Sequence, residues 1–227
     1  MTDDTGRVRA LFTRADGSFR FSRWGRPLAP MIYGTDDAGV RLFERSLGSV
    51  AELAGLEIVE VDPDLAANFI VYFVKDWGEL TGIPHLVKLI PGIAKLVTRL
   101  AVAGATQYRI FGFDDDGAVC ICITMIRYGS EMKRVSAQTL AVTQSFLGIL
   151  LWTEGAFADE SPVALTGEDR RCVVKPWHAA LIRAAYDPAI PPAGIDSSLA
   201  LRLAARLAVM QASPVEEPAE APREDSP

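Results

Sequence analysis

The stretch Gln138–Trp152, QTLAVTQSFLGILLW, decides how this chain is read. Leu140, Thr143 or Gln144, Leu147 and Leu151 mark one helical face, and Ala141, Phe146 and Ile149 fill the rest. A helix that is apolar nearly all round belongs inside a domain. We therefore place a buried central helix at Ser136–Trp152 and work outward from it.

Upstream, Gln107–Phe113 and Ala118–Arg127 flank Asp114-Asp115-Asp116-Gly117. This is a hairpin signal, with Gly supplying positive φ. The acidic triplet lacks the spaced ligands and distal Glu of a calcium loop, so its carboxylates belong to a solvated turn. Asn68–Val74, NFIVYFV, is a continuous β-branched and aromatic run, the mark of a central strand. Glu57–Val61 alternates as a short strand, followed by a turn at Asp62-Pro63-Asp64. Asp36–Ala54 is predicted to be a long amphipathic helix, opened by Asp36 and Asp37 and stopped by Gly55. Pro27 and Pro30 make Trp24–Tyr33 an edge strand or irregular lead-in. Pro84–Ala103 is a second helical pattern, kinked or split at Pro91-Gly92, with Lys88, Lys95 and Arg99 opposite its apolar side.

Downstream, Thr153–Ala164 reads as a loop. Thr166-Gly167-Glu168-Asp169 has the form of a capping box with Asp at its third position, so a helix is predicted to start there. Pro176 interrupts that helix, and Trp177–Ala185 carries it on. Asp196–Met210 is a last amphipathic helix. The fold class is α+β: a mixed sheet of about four to five strands, packed by a long helix near the N-terminus and a buried central helix, with helices at the C-terminus. The expected organisation is a loose N-terminal arm over 1–23, one domain over 24–211 with a helical insertion at 84–105, and a disordered acidic, Pro-rich tail over 212–227.

The composition limits the function classes. The chain has 227 residues, 49% hydrophobic and 23% charged, which suits a globular core. The net charge is −6, and Ser213–Pro227 accounts for −4 of it with five acids against Arg223, leaving −2 for the body. A near-neutral body argues against a nucleic-acid surface. Cys120, Cys122 and Cys172 are too few and too irregular for a disulfide framework, and a bridge from Cys172 to one of the other two stays open. No apolar leader segment or membrane-spanning run is visible, so the chain as written reads as cytoplasmic.

Several motifs carry a resemblance. They are Leu165-Thr166-x-x-Asp169, then Ala184-Ala185-Tyr186-Asp187-Pro188-Ala189-Ile190 with Gly194, and upstream Gln144 followed by Leu147-Gly148-Ile149. From about Trp24 to Val209 the chain resembles a bacterial family of degenerate metzincin-like domains of unknown function, often exported. The resemblance implies a zincin-like fold. It also locates the vestigial cleft at Gln144, Thr143 and Gly148, and the carboxylates Glu131, Glu154, Asp159 and Glu160 flank the central helix where they could line that cleft.

A working metzincin needs HExxH, two imidazoles one turn apart and a Glu to activate water. No HExxH occurs here, and His85 and His178 are the only histidines. Leu140–Gln144 holds no carboxylate, and Gln144 lies four residues before Gly148 where three are expected. No metal ligands, cofactor or catalytic residues are therefore assigned. The leading expectation is a non-catalytic module that binds a protein or peptide in the ancestral cleft. Two alternatives remain: a metal-independent hydrolase using Glu131 or Glu154, and a peripheral membrane protein using the 83–105 helix through Lys88, Lys95 and Arg99.

Overall fold

The computed structural model describes residues 4–61, 66–129, 135–167 and 170–212. Its centre is a four-stranded mixed sheet. Strand β2 (Pro30–Tyr33) pairs in parallel with β3 (Phe69–Val74), and β3 pairs in parallel with β5 (Val119–Arg127). The last strand, β4 (Gln107–Phe113), runs antiparallel to β5 and forms the far edge, giving the order β2-β3-β5-β4. Alternation along the strands divides the apolar side chains between two faces. Phe69, Val71, Cys122 and Ile126 serve the larger core, and Ile70, Tyr72, Ile123 and Met125 serve a second one. Burial on both faces explains why β3 reads as an unbroken apolar run.

Helices α2 (Asp37–Ala54) and α5 (Ala137–Ile149) cover the first face and pack closely on each other. Asp36 caps α2 by accepting from the Gly39 N–H at 2.8 Å, and Gly55 ends it at φ 62°, a left-handed turn that suits glycine. The second face carries a short 3-10 turn at Trp77–Gly82 and the split helix α3 (Pro84–Leu89) and α4 (Ile93–Val102), broken at Pro91-Gly92 as predicted.

The C-terminal end of α5 is held by aromatic side chains. The Trp24 indole donates to the Gly148 carbonyl at 2.9 Å, the Tyr186 hydroxyl to the Ile149 carbonyl at 2.6 Å, and the Trp152 indole to the Phe146 carbonyl at 3.2 Å. These are carbonyls that a helix end leaves without internal partners. Tyr186 and Asp187 thus both act in holding the fold together. Tyr186 caps α5, and Asp187 pairs with Arg206 at 3.1 Å.

Four expectations need correction. The supposed loose arm contains helix α1 (Asp4–Phe12), whose Val8, Leu11 and Phe12 are buried in the main core and which packs on α7 (Leu199–Ala212). The domain therefore begins well before residue 24. Thr166-Gly167 does not start a helix. It ends β6 (Val163–Thr166), which turns through Gly167 at φ 72° and Arg170 at φ 50° into antiparallel β7 (Arg171–Val174). Pro176 begins helix α6 (Pro176–Ala185) rather than interrupting one, as its missing N–H and fixed φ allow at the first position. Glu57–Val61 contributes only a bridge between Ile58 and Leu28. A minor pairing joins β1 (Phe21–Ser22) to β8 (Ala193–Gly194). The turn at Asp62-Pro63-Asp64, the Asp169 of the capping motif, Glu131 and the tail from residue 213 lie outside the described residues.

Candidate functional site

A cleft of about 620 Å³ opens between edge strand β4, helix α5 and the loop 151–162. Gln107, Arg109 and Phe111 line it from β4, Thr143 and Leu147 from α5, and Trp152, Glu154 and Phe157 from the loop. Two sequence candidates, Thr143 and Glu154, therefore meet at one opening. Gln144 is buried directly behind it, and Gly148 is spent on packing. A Cβ at Gly148 would lie 2.7 Å from the Phe69 ring, so only glycine allows α5 to sit this close to β3.

The polar floor of the cleft was not anticipated from the sequence. Arg109 donates through Nη2 to Gln144 Oε1 and through Nε to Thr124 Oγ1 at 3.1 Å. The Gln144 amide in turn donates to Gln107 Oε1 at 2.6 Å. Burial pulls the Arg109 guanidinium below its ordinary pKa, with the Cys122 thiol acting in the opposite direction. Burial pushes the Cys122 thiol up to about 11, so it is not a nucleophile at neutral pH. All three cysteines are free. One signal pointed to Arg109: in QYRIFGF it shares the alternation phase of Gln107 and Phe111, which directs a charged side chain towards a covered face.

The strand edge beside the cleft is open. β4 has a partner on one side alone among the described residues. The Arg127 N–H donates to the Thr106 carbonyl at 2.8 Å. Antiparallel alternation then aims the backbone N–H and C=O groups of Gln107, Arg109 and Phe111 away from β5, outward from the edge of the sheet.

The site does not fit a metal. A guanidinium already occupies the position beside Gln144, and a cation there repels a second one. Among the described residues no three His, Cys, Asp or Glu side chains come together as a ligand set. His85 lies at the second face, bonded through Nε2 to the Tyr72 hydroxyl, whereas His178 lies on α6 against Phe146 and Phe157. Glu154 is exposed and is the single carboxylate among the described lining residues, so the paired carboxylates of an acid–base site are not assembled there.

Lys88, Lys95 and Arg99 are exposed along α3 and α4. Leu86, Ile93 and Leu100 from the same segment are buried against the sheet, so these three are not available to a bilayer. Arg99 turns to the Tyr108 hydroxyl at 3.3 Å. Among the described residues no helix is long and apolar enough to cross a membrane. No protein-family model, curated protein or solved structure matches the chain.

Proposed function

We propose that this chain is a non-catalytic, zincin-like binding domain whose cleft takes an extended peptide as an added strand on β4. The observation that carries this reading is the backbone of Gln107, Arg109 and Phe111, unpaired among the described residues, beside an open cleft. An exposed edge is a ready template for a further strand, and pockets beside it supply side-chain selectivity. The mixed sheet, the long helix α2 and the buried helix α5 accord with a zincin-like scaffold. The guanidinium and amide groups at its centre accord with a scaffold that binds without metal chemistry.

The test starts from a displayed peptide library selected on the full chain. The best binder is then resynthesised with N-methyl groups at alternate residues. Strand addition uses every second peptide N–H, so one methylation phase should abolish binding and the other spare it. Equal tolerance of both phases would overturn strand addition. Elemental analysis of the purified protein should find no stoichiometric zinc, and one zinc per chain would return a metallopeptidase to consideration.

A further inference from the structure

Among the described residues Arg109 carries a charge with no counter-ion. Its partners, Gln144, Thr124 and the protonated Cys122 thiol, are neutral, and no described carboxylate lies within ion-pair distance. Withdrawing a guanidinium from water is costly, and neutral acceptors offset that cost less well than an anion does. Gln144 is fixed by its own bond to Gln107, which holds its carbonyl oxygen towards Arg109 and so orients the guanidinium. Among the described residues the buried side-chain nitrogens without a partner are Arg23 Nε and His178 Nδ1. Arg109 Nη1 is not among them, and Arg109 lines the cleft.

We propose that the cleft recognises a ligand carboxylate through the Arg109 guanidinium, beside an apolar group seated against Phe111, Leu147, Trp152 and Phe157. The inference rests on reading this cleft as a binding site. It does not require the ligand to pair with β4. The guanidinium fork matches a carboxylate geometrically. The charge count also favours a monoanion, because a phosphate group carries close to two charges and no second cation lines the cleft among the described residues. The carboxylate can be a peptide C-terminus, an acidic side chain or a free apolar acid.

Two probe panels are measured on the full wild-type chain. The first is the library-selected peptide as free acid, as C-terminal amide, and with each Asp or Glu replaced by its amide. The second is phenylpropanoate and phenylpentanoate with their amides, followed by NMR shift titration. The carboxylate forms should bind roughly tenfold or more tighter than the amides, the scale of a hydrogen bond to a charged group. Arg109→Gln should erase that difference. The acid–amide comparison needs no variant, so a misfolded Arg109→Gln chain leaves the test intact. Peptides that bind equally as acid and amide would overturn the carboxylate while leaving strand addition standing, and Arg109 would then only guard the sheet edge. Acids that bind where no peptide does would support the carboxylate and overturn strand addition. Silence in both panels would overturn both. The amide that weakens the peptide identifies the source as chain terminus or side chain.

Discussion

Replacing His178 by Leu should remove part of the acid sensitivity of the fold. The His178 ring lies against Phe146, Phe157 and Trp177 at centroid distances of 5.9, 5.6 and 5.1 Å, and its Nδ1 is buried with no partner among the described residues. Burial, helped by Arg7 and Lys175 and opposed by Glu160, holds its pKa at about 4 against an ordinary 6.5. The unfolded chain therefore binds a proton that the folded chain refuses between those values. Stability from this residue is whole above pH 6.5 and is lost as pH falls towards about 4. A displacement of that size corresponds to at most about 3 kcal/mol. The loss is not complete at about pH 4.5, and we expect about 2 kcal/mol over the range tested. Urea denaturation of wild type and His178→Leu at about pH 7.5 and about pH 4.5 measures the effect, since carboxylates common to both chains cancel. The variant should lose about 2 kcal/mol less on acidification. Identical losses in the two chains would refute the reasoning.

Phe146→Ala should cost about 3–5 kcal/mol in chemical denaturation, because the ring is fully buried between Trp152, Phe157 and His178. Gly148→Val forces a side chain to within 2.7 Å of the Phe69 ring and should destabilise by about 1–3 kcal/mol, read as a lower melting temperature. Gln144→Leu strips Arg109 and Gln107 of a partner and should cost about 1–3 kcal/mol. Gln144→Glu places a carboxylate against Arg109 from within, so titration should show acid probes binding roughly tenfold more weakly. Liposome sedimentation should be weak and unchanged by the triple substitution Lys88→Gln, Lys95→Gln, Arg99→Gln, since Leu86, Ile93 and Leu100 are already packed.

Elements with a strong period were legible from residues alone. The heptad-like face of α2, the apolar run of β3, the hairpin at Asp114–Gly117 and the break at Pro91-Gly92 all follow from local chemistry that the tertiary structure keeps. The misread segments are those where one local pattern serves two structures. Thr-Gly-x-x suits a helix cap and a tight hairpin equally, and the pairing of Leu165 with Cys172 decides between them. α1 was hidden by its polar residues, although Val8, Leu11 and Phe12 already stood at helical spacing. The cleft was half legible. Thr143 and Glu154 fell on it, but Arg109 gains its meaning only when β4 is laid beside Gln144, a contact between residues 35 apart in the chain.

The packing of α1 on α7 has a consequence for synthesis. The first and last helices of the described chain close the main core together, with Phe12, Leu203 and Leu207 all fully buried in it. A chain emerging from the ribosome makes the α1 surface first and its cover last. Until residues 199–212 are released, the apolar side of α1 lacks its native neighbour. Completion of the core thus waits for the last described helix, and until then the nascent chain needs either transient burial of α1 elsewhere or a chaperone that accepts a short apolar helix.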